Sequence, residues 1–152
     1  MSLLERSAVL GLAAGGRASV GVAVPVRVAT RGSAGPGARR ARAVVGLAVL
    51  GELVGDVQPT APSRLEPQAL IGRTVSGAAG AGWLAHLERR APAAVALAAL
   101  AGAAGAIAGS VLGASWRQAA EATPALQPDW RAALLEDVVV LTAAGALVAT
   151  AR

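Results

Sequence analysis

The chain has 152 residues, about the length of one domain, and its 14 basic and 9 acidic residues give a net charge of +5. Hydrophobic residues make up 55% of it and charged residues only 15%, whereas a soluble domain carries about a quarter of its residues as charges. This composition predicts a protein that lies in lipid, since it has too little charge to coat a water-soluble globule. A water-soluble, Ala-rich helical bundle is the alternative.

Several classes of function are excluded by the residue types present. Cysteine is absent and His86 is the only histidine, which rules out disulfides, thiolate chemistry and a Cys- or His-rich metal site. The basic residues are scattered arginines, and the chain has no Phe or Tyr for base stacking, so we expect no nucleic-acid partner. No phosphate-binding loop or catalytic constellation occurs, and we therefore expect a non-enzymatic protein without a cofactor.

Five apolar segments follow one another along the chain, each near the ~20 residues that cross a bilayer. They predict an all-α integral membrane bundle of four or five short, Gly/Ala-rich helices in one domain, residues 1–152. The first segment is interrupted by Arg17 and Pro25, and it either crosses the membrane or dips in and returns. The segments are 7–28, 41–57, 68–86, 92–116 and 130–151.

The three tryptophans, Trp83, Trp116 and Trp130, fall near predicted segment ends, where such rings settle at the membrane–water boundary. Arginines are concentrated in the first and third loops, and positively charged loops tend to stay in the cytoplasm. With five crossing segments, this places the N-terminus outside and the C-terminus inside.

Small residues recur at four-residue spacing in two segments, which puts them on one helix face and permits close backbone contact. The simpler interpretation is tight packing within one subunit, and the alternative is an interface between identical subunits. The rows are Gly72, Ser76 and Gly80 in the third segment and Gly105, Gly109 and Gly113 in the fourth.

Charged residues stand inside these apolar segments, although Asp or Arg at the centre of a membrane helix costs roughly 2.5–3.5 kcal/mol. Such residues usually pair, face the protein interior or line a water-filled path. Glu52 and Asp56 are four residues apart and share one helix face. Glu136 and Asp137 are adjacent, so on a helix their side chains point about 100° apart. The charged positions are Arg17, Glu52, Asp56, Arg73, Glu136 and Asp137.

Three interpretations of these charges are open. In the first, Arg17 and Arg73 neutralise the carboxylates in a buried ion-pair network. In the second, some carboxylates bind a cation or proton, and oxygen ligands alone would favour Mg²⁺, Ca²⁺ or protons over Zn²⁺. In the third, Asp56 is simply solvated at a helix end.

Two motifs resemble those of a known family. "GELVGD" with the downstream residues Pro59, Pro62, Ser63, Arg64 and Arg73, and "LLEDVVV" late in the chain, are similar to the domain-of-unknown-function family four-one-two-six. The resemblance covers nearly the whole chain. It implies a short multi-spanning protein of the bacterial inner membrane, and it implies a location and fold type rather than an activity.

The leading functional expectation is a small transporter or channel-like protein for a cation or proton, surrounded by the lipid bilayer. Glu52 and Asp56 would be its primary ligands or proton carriers, with Glu136 or Asp137 secondary and arginines as charge partners. The alternative is a non-enzymatic membrane scaffold whose charges are structural. A second copy of the chain, held through the small-residue faces, is a further candidate partner.

Overall fold

The computed structural model describes residues 1–56, 65–128 and 130–151, and these ranges contain six α-helices and no strand. This confirms the all-α prediction. The side chain of Asp56 and residues 57–64, with the motif residues Pro59, Pro62, Ser63 and Arg64, lie outside the described residues. The helices are α1 (Leu3–Gly16), α2 (Ala18–Ala29), α3 (Pro36–Asp56), α4 (Pro67–Leu87), α5 (Pro92–Glu121) and α6 (Trp130–Thr150), with a short 3-10 turn at Pro124–Leu126.

The first apolar segment is not one helix but two. α1 starts with a capping box, in which Ser2 and Glu5 each accept a hydrogen bond from the other's backbone N–H. It ends at Arg17, whose φ of −141° and ψ of 107° are those of extended chain. Pro25 does not end the helix, since it lies inside α2. The interruption predicted at Arg17 is therefore a break between two short helices, whereas the interruption predicted at Pro25 is absent.

Contacts with α4 fix the direction of α1. Arg73, near the start of α4, donates to the carbonyl oxygen of Gly15 at 2.7 Å. At the other end, Arg6 forms an ion pair with Glu88, just beyond α4, with an Nη2–Oε1 distance of 2.6 Å. α1 and α4 are therefore antiparallel.

α2 runs the opposite way along α4. Ser76 donates to the carbonyl oxygen of Ala18, and one turn later Gly80 packs against Gly21. A Cβ atom on Gly80 would lie 2.0 Å from the Gly21 oxygen, so only glycine fits there. α1 and α2 thus form a helical hairpin that turns at Arg17. Each arm is about 20 Å long at 1.5 Å per residue, and the hairpin dips into the bundle and returns.

The hairpin places both chain ends on one side of the bundle. α3 returns antiparallel to α2, with Val45 packed against Val26 and Arg42 donating to the carbonyl oxygen of Thr30 at 2.9 Å. Arg31, after α2, donates to the carbonyl oxygen of Ala151 at the end of α6. This side of the bundle carries the start of α1, the α2–α3 and α4–α5 turns and the end of α6. We call it the termini face.

Large apolar side chains cover the outside of the bundle, and small residues fill its interior. Leu47, Leu100 and Val139 are 68%, 67% and 68% exposed, whereas much of the buried core is Ala and Gly. Among the described residues two helices, Pro92–Glu121 and Trp130–Thr150, are long and apolar enough to cross a membrane. This is fewer than the four or five spans predicted, and Ala18–Ala29 is a shorter apolar helix.

Glycines bring α5 against α1. A Cβ on Gly105 would lie 2.4 Å from the Ala8 carbonyl oxygen, and one on Gly109 would lie 2.3 Å from that of Leu12. Gly113 is buried on the same helix. This row thus packs within the chain. In α4 the situation differs, because a Cβ on Gly72 would meet no atom within 4 Å, and Gly72 takes no part in this packing.

Replacing Gly109 by Ala should destabilise the protein, because the new methyl group would overlap the α1 backbone and force α1 and α5 apart. We expect a loss of about 1–3 kcal/mol, as for overpacked cores. Gly72→Ala is the matched control and should be neutral or stabilising by up to about 1 kcal/mol. Thermal unfolding of the purified variants measures both, and equal effects at the two positions would contradict this packing.

Candidate functional site

The turn of the hairpin exposes two helix ends inside the bundle. The last carbonyl groups of α1 and the first N–H groups of α2 have no partners within their own helices. The α1 end carries a partial negative charge and the α2 end a partial positive charge. Buried polar groups of this kind need hydrogen-bond partners, and charged side chains from α3 and α4 together with a serine hydroxyl from α5 supply them.

Glu52 of α3 binds the start of α2. Its Oε1 accepts from the backbone N–H of Ala18 at 2.8 Å, and its Oε2 accepts from the N–H and hydroxyl of Ser19 at 2.9 and 2.6 Å. A carboxylate is the ligand that a helix N-terminus favours. Glu52 therefore acts as the cap that α2 lacks in its own sequence, since Arg17 at the N-cap position makes no side-chain cap hydrogen bond.

Arg73 of α4 binds the end of α1. Its Nη1 donates to the carbonyl oxygens of Gly15 and Gly16 at 2.7 and 2.6 Å. Its Nη2 lies 3.6 Å from Oε1 of Glu52, so this one cation faces both the α1 carbonyls and the Glu52 carboxylate that caps α2. Ser110 of α5 adds a longer hydrogen bond to the Gly15 oxygen at 3.3 Å.

Arg17, at the turn itself, is 1% exposed and binds α6. Its Nε and Nη2 donate to Oδ1 of Asp137 at 2.8 and 2.5 Å. Its Nη1 donates to the backbone oxygen of Glu52 at 2.9 Å. One guanidinium thus ties the hairpin turn to both α3 and α6.

The structure therefore brings four of the six predicted charged residues together at the hairpin turn. We call Arg17, Glu52, Arg73 and Asp137 the hairpin cluster. Its main partners besides each other are backbone groups of residues 15–19, which sequence analysis did not identify. The signal for them was the glycine pair directly before Arg17, because adjacent glycines weaken a helix and expose its carbonyls.

Glu136 is placed differently from its neighbour Asp137. It lines a cavity of about 660 Å³ between α1, α5 and α6, whose walls are otherwise apolar and include Leu12, Trp116 and Val139. Gly16, beside the hairpin turn, lines the same cavity. A Cβ on Gly16 would lie 3.7 Å from Oε1 of Glu136, so the carboxylate sits next to the turn.

The described residues contain no group of three or more His, Cys, Asp or Glu side chains that could hold a metal ion. His86 is exposed near the end of α4. Asp56, which the four-residue spacing places on the same helix face as Glu52, has its side chain outside the described residues.

Comparison of the chain with protein-family models, with curated proteins and with solved structures finds no match. The family resemblance of the two acidic motifs stays a prediction.

Breaking the buried pair of Arg17 and Asp137 should be strongly destabilising. Asp137→Asn removes the carboxylate charge that the buried Arg17 guanidinium contacts through Nε and Nη2, and the expected loss is about 3–5 kcal/mol. Arg17→Met should cost a similar amount. The double variant should lose less than the sum of the two single losses, with a coupling of about 0.5–3 kcal/mol.

The control for these three variants is Arg39→Met. Arg39 is an exposed arginine on α3, and its replacement should change the unfolding free energy by less than about 0.5 kcal/mol. Thermal or denaturant unfolding measures all four variants. Strictly additive losses would show that the two side chains stabilise the fold independently, against the pairing described above.

Proposed function

We propose that the protein is a small integral membrane transporter or channel for a cation or proton, without enzymatic activity. The observation that carries this proposal is the interrupted helical hairpin, whose charged turn lies beside a cavity with a carboxylate in its wall. Transporters commonly place their binding sites at discontinuous helices, where freed backbone groups meet ions or charged substrates. The family resemblance would place this protein in a bacterial inner membrane.

The distribution of apolar surface supports a lipid environment. Exposed aliphatic side chains on α3, α5 and α6 would contact acyl chains, and soluble monomers rarely expose large apolar patches. Only 33% of the apolar window in α5 and 28% of that in α6 is buried, which differs from a mostly buried soluble core helix. α5 and α6 are the helices best suited to cross the bilayer.

The distribution of arginine supports an orientation. Within the described residues the termini face carries most of the arginines, and the positive-inside rule would put that face in the cytoplasm. Because the first segment is a hairpin, both chain ends would then be cytoplasmic, in contrast to the external N-terminus expected from five crossings. The arginines at this face are Arg6, Arg27, Arg31, Arg39, Arg40, Arg42, Arg89 and Arg90.

The geometry also divides the predicted carboxylates by role. Glu52 and Asp137 accept hydrogen bonds from the helix end and from Arg17, and these bonds hold the hairpin in place. Glu136 lines the cavity, and we assign it as the group that binds the cation or carries the proton. Ionisable groups within membrane proteins usually mark such paths.

A scaffold without transport activity is the second candidate, and the hairpin cluster itself favours it. The carboxylate of Glu52 accepts three hydrogen bonds at 2.6–2.9 Å from backbone and hydroxyl donors, and Asp137 accepts two from Arg17, which is the pattern of carboxylates with a structural role. In that case the cavity beside Glu136 would hold only lipid chains or packing side chains of a neighbour.

Glu136→Gln should abolish flux and leave the protein folded, because the change removes the charge from the cavity but keeps the volume of the side chain. Flux is measured in proteoliposomes under an imposed proton or cation gradient, with unfolding followed on the same samples. Glu121→Gln, at the exposed end of α5, is the matched control and should keep wild-type flux.

The two candidates give different results in this experiment. If the wild-type protein carries no flux above that of protein-free vesicles under any proton, Na⁺, K⁺ or Mg²⁺ gradient, the scaffold is favoured. If flux is present and Glu136→Gln retains it, the transporter stands and the assignment of Glu136 is wrong.

The hairpin can be tested by single-cysteine labelling, since the chain has no cysteine of its own. Ser2→Cys and Ser33→Cys should react with an impermeant maleimide from the same side of sealed vesicles. Thr123→Cys, between α5 and α6, should react from the opposite side. Labelling of Ser2→Cys and Ser33→Cys from opposite sides would mean that α1 and α2 together cross the membrane.

A further inference from the structure

Four arginines line one open cavity of about 500 Å³ on the termini face. They come from the end of α2, the α2–α3 turn and the start of α3, and Val148 of α6 closes one side. We call this cavity the arginine cup, and its arginines are Arg27, Arg31, Arg39 and Arg42.

Two of these arginines are held in place by backbone carbonyls. Arg31 donates to the oxygens of Ala151 and Val148 at the end of α6, where the helix favours a cation. Arg42 donates to the oxygens of Thr30 and Ser33. A guanidinium has five N–H donors; Arg31 uses two of them here and Arg42 uses three, so each has donors left for an anion.

The positive charge of the cup is not balanced within the described part of the chain. No Asp or Glu of that part lines the cavity. Arg27 and Arg39 are exposed and form no ion pair with a described residue. Four arginines around one cavity, with no carboxylate of the described residues in its walls, favour an anion with several oxygen atoms, such as a phosphate group.

The arginine cup continues into an apolar groove. A second cavity of about 520 Å³ lies between α2, α3 and α6, and it shares Arg27 and Val148 with the cup. Its other walls are aliphatic, including Val24, Val49 and Leu141. A single ligand with an anionic head and a hydrocarbon tail would fit both cavities at once, whereas free phosphate would use only the cup.

We propose that the cup and groove together bind an anionic phospholipid, with the headgroup phosphate among the arginines and an acyl chain between α2, α3 and α6. The inference rests on the proposed membrane location of the protein. In the proposed orientation the cup faces the cytoplasmic leaflet, where anionic lipids attract juxtamembrane basic residues. The lipid would join α2, α3 and α6 on the termini face, as the hairpin cluster joins them near the turn.

The test measures lipid binding to the purified full-length protein by native mass spectrometry, with dioleoylphosphatidylglycerol and dioleoylphosphatidylcholine as probes. Phosphatidylglycerol should bind saturably and more tightly. Arg27→Gln and Arg39→Gln should each weaken its binding about fivefold, the effect of losing one arginine near an anionic lipid. Arg40→Gln is the matched control, since Arg40 adjoins Arg39 and does not line the cup, and it should leave binding unchanged.

A second variant tests the groove. Gly46 lines it, and a Cβ there would meet no atom within 4 Å, so Gly46→Leu should fold and fill the space of the acyl chain. It should weaken phosphatidylglycerol binding at least about fivefold. Inorganic phosphate is the comparison probe: saturable binding of phosphate that equals that of the lipid, with no effect of Gly46→Leu, would assign the cup to a free anion and overturn the proposal.

Equal losses in Arg39→Gln and Arg40→Gln would also overturn it, because binding would then follow general surface charge. These outcomes are separate from those of the proposed function. A protein that inserts, carries flux and shows no preference for phosphatidylglycerol disproves the lipid site alone, whereas a protein that fails to insert removes the basis of both proposals.

Discussion

The bond between the Glu52 carboxylate and the N-terminus of α2 is the contact on which the arrangement of helices depends. It supplies the partner that α2 needs, because the residues before α2 provide no side-chain cap. It also fixes α3, whose buried apolar contact with the rest of the chain is otherwise a small cluster around Val45. The guanidinium of Arg73 then balances the negative charge of Glu52 and also donates to the last carbonyl groups of α1. A single carboxylate therefore determines where α2 begins and where α3 lies.

The energetics explain why the charges and the helix break occur together. Each charge would cost roughly 2.5–3.5 kcal/mol in the centre of a membrane helix if it stood alone. An unsatisfied buried backbone group costs a further 1–3 kcal/mol or so. The hairpin turn leaves backbone N–H groups and carbonyl groups without partners in their own helices. The cluster supplies a carboxylate for the N–H groups and a guanidinium for the carbonyls, so the same hydrogen bonds reduce the cost of burying the charges and of burying the backbone groups. Neither would be stable without its counterpart. This is why Arg17 lies at the turn and not in the middle of a helix.

Sequence analysis identified the charges of the cluster but not their arrangement. Arg17 and the carboxylates stood out because charge is rare in apolar segments, and the glycine row around Gly109 stood out by its spacing. The direction of α2 could not be read from the sequence, because a hairpin and a continuous span have the same composition. Gly72 has the same spacing as the packing glycines and yet faces open space, since periodicity defines a helix face without saying what covers it. The backbone partners at residues 15–19 are marked in the sequence only by the glycine pair Gly15–Gly16.

The different surroundings of Glu136 and Asp137 give the strongest link from this fold to a function. Adjacent helical residues point about 100° apart, so one of them can meet Arg17 while the other lines the neighbouring cavity. The Arg17–Asp137 pair fixes the rotation of α6, and this rotation directs Glu136 toward the space beside Gly16. α5 and α6 touch each other little, so the cavity occupies space that these two helices leave between them. A structural ion pair thus presents a second carboxylate beside the turn of the hairpin, and the proposed transport of a cation or a proton rests on this arrangement.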